Sequence, residues 1–179
     1  MVIERWSNMK KRVVSITLAL AMLFVLSLTT ACNPAGDDAE ESVEAAVDVI
    51  TIKGRKYKTS LTELNLREKE LQDEDIISLK HMTNLISLDL SGNQISDLTP
   101  LSGLKDLEWL KLSNNQISDL NPLSGLKDLE FLDLSFNQIS DIKPLAELTE
   151  LGWLVLYGNG LTVEQINDLK AKLPNCNLY

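Results

Sequence analysis

Few side chains in this sequence could do chemistry. It holds one histidine, His81, and two cysteines, Cys32 and Cys176. Nucleophilic catalysis needs a nucleophile and a base within hydrogen-bond reach, and a single histidine in "LKHMTN" builds no such pair. At the end of a helical segment, His81 is expected to meet the carbonyl end of the helix favourably. Cys176 stands beside Pro174 in a closing segment and reads as a small buried residue. Asp97, Asp119 and Asp141 each follow a serine, and the capping of short helical turns accounts for them. Nothing beside them completes a calcium ligand set. The sequence shows no phosphate-cradling glycine motif and no metal-ligand spacing. The expectation is a non-enzymatic protein without cofactor or metal.

Charge narrows the partners. Lys plus Arg is 17 against 26 Asp plus Glu, a net charge of −9 over 179 residues. Nucleic acid needs a basic surface, so it is not an expected partner. Hydrophobic residues make up 44 % of the chain, enough for a packed core. The N-terminal segment is separate from that core. Lys10, Lys11 and Arg12 precede the uncharged, mostly apolar run Val13 to Leu28, then "TTAC". That is the layout of a secretory signal peptide, with Met1 or Met9 as its start. The small residues before Cys32 resemble a bacterial lipobox, with Thr29 where that family prefers leucine. The resemblance implies a lipoprotein-type signal over 1–31 and a diacylglyceryl group on Cys32. An ordinary signal peptide or an uncleaved anchor are the other readings of the same segment. Residues 1–31 hold Arg5, Lys10, Lys11 and Arg12 against Glu4, so the remainder carries 13 basic and 25 acidic side chains, a net of −12.

Residues 32–48 read as an acidic linker, with a short helix over 39–48. Residues 49–60 read as a capping hairpin. Ile50 and Ile52 alternate with polar residues, Lys53-Gly54 makes the turn, and Arg55 to Lys58 return. Beyond residue 60 the chain repeats. "NQISDL" occurs at 93–98 and 115–120, "NQISDI" at 137–142, and "LSGLKDLE" at 101–108 and 123–130. Leu85, Leu107, Leu129 and Leu151 recur every 22 residues in the unit L-x-x-L-x-L-x-x-N-x-I/L, a leucine-rich repeat. An earlier copy begins at Leu61, which gives five strands. The fold class is therefore α/β: a solenoid over 61–179, with a parallel sheet on its concave face and short 3₁₀ turns on its convex face. Asn93, Asn115, Asn137 and Asn159 form a structural column that satisfies buried turn backbone. Pro100, Pro122 and Pro144 are expected to stop each helical return. "DEDIISLKHM" reads as a full helix with Ile76 and Leu79 inward, and 162–179 as a helical cap with Thr162 and Gln165 in a capping box.

The stretch "NQISDLTPLSGLKDLEWLKLS" resembles the internalin-like leucine-rich repeat proteins of bacterial surfaces. The resemblance covers 61–179. It implies surface display and protein binding through the concave sheet. Neither an immunoglobulin-like domain nor a wall-sorting tail follows the repeats, so invasion activity is not expected.

Strand alternation then places the outward side chains. One column reads Glu63, Ser87, Trp109, Phe131, Trp153, and the next Asn65, Asp89, Lys111, Asp133, Val155. Three aromatics side by side, with Tyr157 beside them, form an apolar strip rimmed by Ser87, Asp89, Lys111 and Asp133. A rigid aromatic strip with a polar rim is the pattern of a binding hot spot. The expected partner is a protein, or alternatively a glycan or the cell wall, bound by a monomer. The expected location is the outer face of a bacterial membrane, held by lipid on Cys32, or alternatively the medium as a secreted protein.

Overall fold

A computed structural model describes residues 47–179. The signal segment 1–31, Cys32 and the short helix expected over 39–48 lie outside the described residues, apart from positions 47 and 48.

β1 (Val49–Ile52) and β2 (Arg55–Lys58) pair antiparallel, with Ile50 opposite Tyr57. Their turn is Lys53-Gly54, both at positive φ (47° and 75°). Two such residues make the hairpin turn whose twist matches the strands, and glycine enters it without penalty. The hairpin buries Ile50 and Ile52 against the end of the core, and Lys53 reaches Asp75 at 3.3 Å.

Six short strands then form one parallel sheet in chain order: β3 (Glu63–Asn65), β4 (Ser87–Asp89), β5 (Trp109–Lys111), β6 (Phe131–Asp133), β7 (Trp153–Val155) and β8 (Asn177–Leu178). Sequence reading expects five. The sixth is two residues long and carries no leucine motif. It joins because the chain leaving the C-terminal helix runs back alongside β7, with Trp153 opposite Asn177.

The core is built layer on layer. The coil beginning at Leu107 buries Leu107, Leu110, Leu112, Ile117, Leu120, Leu123 and Leu126, none above 1 % exposed. The coil beginning at Leu129 repeats the set through Leu148. A unit of that size cannot bury its own apolar face alone, so each layer depends on its neighbours.

The return segments are short 3₁₀ turns, at Thr99–Leu101, Asn121–Leu123 and Lys143–Glu147. The prolines open these turns instead of stopping them. Each sits in the first turn, where its missing N–H would have no partner anyway. Asp97, Asp119 and Asp141 each accept the N–H two residues on, from Thr99, Asn121 and Lys143 at 2.8–2.9 Å. "DEDIISLKHM" is not a full helix. α1 (Asp73–Ile76) is a single α-turn that continues as 3₁₀ over Ile77–His81, with Ile76 and Leu79 fully buried.

The two ends hold the adjacent turns by different chemistry. Asp73 accepts from the Ser96 N–H and hydroxyl and from the Asp97 N–H, at 2.6–3.0 Å. Partial burial pushes its carboxyl pKa up, but the Ser96 and Asp97 hydrogen bonds outweigh burial and hold it below the usual value. At the other end α2 (Val163–Lys172) starts with a reciprocal Thr162–Gln165 capping box. The Gln165 amide donates to the Ser140 carbonyl at 2.6 Å, a neutral counterpart of the Asp73 clasp. Leu169 and Leu173 close the core.

Candidate functional site

Register fixes which side chains share the solvent face of the sheet. Ser87, Trp109, Phe131 and Trp153 are direct cross-strand neighbours, with Glu63 at one end of the row and Asn177 at the other. The second row runs Asn65, Asp89, Lys111, Asp133, Val155. These rows follow from an in-register parallel sheet, with steps of 22 residues from β4 to β7 and of 24 at either end.

The aromatic row is packed more closely than the sequence suggests. Trp109 and Phe131 stack face to face, with centroids 5.2 Å apart and planes at 11°. Trp109, Phe131 and Trp153 are half-buried instead of freely exposed, because neighbours 4.8 Å apart in a sheet cover one another. The indole Nε1 of Trp109 is shielded from solvent and has no hydrogen-bond partner. A buried donor without an acceptor costs on the order of 1–3 kcal/mol.

The most exposed aromatics in this region lie at the strand exits. Tyr157 is 55 % exposed and Phe136 51 %. Their rings meet edge to face at 4.9 Å and 89°. Sequence reading includes Tyr157 and misses Phe136. The position of Phe136 is unusual for its residue type. Glu68, Gly92, Asn114, Phe136 and Gly158 follow the strands in successive coils, and all have positive φ. That region is poorly suited to a bulky side chain. At Phe136 (φ 53°) the ring is accommodated by Gly158, where any Cβ would stand 2.5 Å from Phe136 Cδ1. The signal was present in the sequence as "SFN" among "SGN" and "SNN".

The rim residues divide by role. Asp89 accepts the Ser91 N–H at 3.0 Å, and Asp133 accepts both the N–H and hydroxyl of Ser135. Asn65 does the same for Arg67. These side chains bend the chain out of the strand as well as facing solvent. Lys111 and Val155 cannot make that turn. Lys111 is exposed and has no ion pair among the described residues. Ser87 is half-buried, and its small side chain leaves an open depression beside Trp109, of about 400 Å³.

The asparagine column lies inside the turns. Asn115 donates to the carbonyls of Leu90 and Leu112, both at 3.0 Å, and accepts the Ile95 N–H at 3.0 Å. Asn93, Asn137 and Asn159 make the same reach into the preceding coil. Lys69 stands where the first copy should have asparagine, and its own N–H is held by Asn93.

Residues with chemical potential lie apart from this face. His81 ends the first 3₁₀ segment. Cys176 is unpaired and buried, and burial pushes its thiol pKa up to about 11, which disfavours the thiolate. No group of carboxylate, histidine or thiol side chains able to hold a metal occurs among the described residues.

Two leucine-rich repeat family models match the chain, over residues 59–117 and 105–147. Among solved structures it is 40 % identical to an internalin from Listeria monocytogenes, over 58 % of this chain and 30 % of that one, with a TM-score of 0.56. A leucine-rich repeat protein from Leptospira interrogans is 33 % identical over 57 % of this chain and 27 % of that one, with a TM-score of 0.54. The functional domain of InlJ from Listeria monocytogenes, which includes a cysteine ladder, is 31 % identical over 67 % of this chain and 25 % of its own length, with a TM-score of 0.53. The chain therefore spans less than a third of the length of each. No curated protein matches.

Proposed function

Since this chain is an internalin-like leucine-rich repeat protein, we propose that it is a non-catalytic binding module on the outside of a bacterial cell. It recognises a protein through the solvent face of its sheet. The observation that carries this reading is the aligned row Trp109, Phe131, Trp153 beside the exposed Phe136–Tyr157 pair. Packing alone would not require aromatic rings on that face, since the strands are already closed by leucine layers beneath. Large aromatics with a polar rim are what protein interfaces concentrate. Six strands at about 4.8 Å span only about 24 Å, so the partner's contact is small, a loop or an extended segment.

In this reading residues 1–31 are removed, Cys32 carries the lipid, 32–48 form the tether, 49–60 the first cap and 61–179 the repeats with their closing cap at 162–179. Two acyl chains on one residue suffice for stable attachment. Metabolic labelling with a palmitate analogue is expected to mark the wild type and not Cys32→Ala. Equal labelling of the two would end the lipoprotein reading.

The binding face is tested with Trp109→Ala and Trp153→Ala, singly, in the full chain. Each is expected to weaken capture of a surface-protein partner by about 2 kcal/mol or more, roughly thirtyfold. The cost in stability should stay near the 0.5–1.5 kcal/mol of an aromatic pair. Unchanged capture together with a sharply lowered melting temperature would make the row a packing feature. Capture of a glycan in place of a protein would redirect the reading to the cell wall.

A further inference from the structure

We infer that the depression beside Trp109 is a subsite for one cationic side chain, arginine in preference to lysine, on a basic segment of the partner. This rests on the reading of the sheet as a protein-binding face. The Trp109 indole is held from behind by its parallel stack on Phe131. Its other face looks along the row toward β4, where the neighbour in register is Ser87. That small side chain leaves the indole open onto the depression, which Glu63, Asn65, Ser87, Asp89, Trp109 and Lys111 line. A flat guanidinium or an ammonium group over the face of a tryptophan is attracted by the ring, and tryptophan is the best ring for it. Two carboxylates stand around that position. Glu63 is exposed and forms no ion pair among the described residues. Asp89 has one oxygen, Oδ1, engaged with the Ser91 N–H. One cation, Lys111, also lines the depression, as the cross-strand neighbour of Asp89, and forms no ion pair among the described residues. The lining thus carries a net negative charge, and the whole chain is at −9. An anionic ligand would meet two carboxylates, Glu63 and Asp89, against the single cation Lys111. Arginine is favoured because its planar, weakly hydrated group stacks and forks in one position, and a lysine ammonium does neither.

The test uses the full chain and a blocked pentapeptide with one central arginine, beside the same peptide carrying citrulline, lysine or glutamate. Citrulline keeps the shape and removes the charge. Calorimetric titration, with the Trp109 indole N–H followed by NMR, is expected to show saturable binding of the arginine peptide. The citrulline peptide should bind about tenfold more weakly and lysine should fall between. In Glu63→Gln with Asp89→Asn the arginine peptide's advantage over citrulline should shrink to the part that the Trp109 ring supplies. Asparagine can keep the turn that Asp89 makes, as Asn65 does one strand earlier, and the single Glu63→Gln serves if the pair fails to fold. Equal binding of arginine and citrulline peptides by the wild type overturns the proposal, as does tighter binding of the glutamate peptide or of a neutral trisaccharide. Trp153→Ala separates the two claims, since Trp153 lies two strands from the depression. If that variant loses protein capture while the wild type ignores arginine, the binding face stands and the subsite falls. If arginine binds while no tryptophan variant affects capture, the subsite stands and the wider reading falls.

Discussion

The two halves of the sheet's solvent face share a backbone and differ in the row that carries the aromatic rings. β3 and β4 present Glu63, Asn65, Ser87 and Asp89, with no aromatic ring; β5 to β7 present Trp109, Phe131 and Trp153 in one row and Lys111, Asp133 and Val155 in the next. Beneath both halves lie the same buried leucine layers. The difference shows that the fold and the surface are specified by separate positions of one 22-residue unit. Inward leucines and the asparagine hold the coil, and the outward strand residues are free to carry recognition. A change at an inward position should therefore damage both halves together, and a change at an outward one should stay local.

The largest expected effect tests that separation. Asn115→Ala leaves the buried Ile95 N–H unpaired and takes one of two amide donors from each of the Leu90 and Leu112 carbonyls, which keep Asn93 and Asn137. A buried backbone group left unpaired costs about 1–3 kcal/mol, and two weakened carbonyls add to it, so a loss of about 2–3 kcal/mol is expected by chemical denaturation. A loss under about 1 kcal/mol would show that water replaces the side chain and that the column is not the spine of the fold. Peptide binding at the depression should survive whatever fraction remains folded.

A smaller effect divides the halves by pH. The polar half is clasped by carboxylates, Asp73 on Ser96 and Asp97, and Asp75 on Lys53. The C-terminal end uses the neutral Gln165 amide on Ser140. The Asp73 pKa is lowered in the folded state. Its contribution is therefore present above the ordinary carboxylate pKa of 3.8, and is lost as pH falls through the folded value. Hydrogen exchange on lowering pH below about 4 should open the Ser96–Asp97 turn before the Ser140 turn. Asp73→Asn should remove that order and cost about 1 kcal/mol at neutral pH, given its partial exposure. Simultaneous opening of both turns in the wild type would contradict the assignment.

The smallest effect concerns the seam between the halves. Trp109→Phe keeps a ring against Phe131 and deletes the indole N–H that has no partner. Stability is expected to hold or rise by up to about 1 kcal/mol, while affinity for an arginine peptide falls, since phenylalanine is the weaker cation–π ring. A clear loss of stability would mean that the N–H has a partner in solution.

Much of this was legible in the sequence because two periods coincide. The 22-residue repeat sets register, and strand alternation sets which face each residue takes, so the row Ser87, Trp109, Phe131, Trp153 could be written down directly. The reach of the C-terminal cap followed from Thr162 and Gln165. What the pattern does not encode is three-dimensional closure. β8 pairs because the chain returns beside β7, not because Asn177 and Leu178 carry a motif. The half-burial of the tryptophans depends on how rings lean on one another. The turn-making role of Asp89 and Asp133 depends on the bend after the strand, and only that bend brings the Ser91 and Ser135 N–H groups within reach. Phe136 stands in a column of turn residues, and its positive φ is a property of the backbone that its residue type does not announce.

The asparagines also set a rule for how such a chain can change length. Each bonds its own coil and the coil before it, as Asn137 does to Leu134 and to Leu112 and Ile117. A duplicated unit inserted in the middle would bring its own clasp and meet a predecessor already shaped to receive it. Neither terminal cap would have to be rebuilt. Gene duplication or loss in steps of one unit would then widen or narrow the sheet by about 4.8 Å and add or remove one residue from each outward row. The architecture makes the breadth of the recognition surface heritable separately from its chemistry.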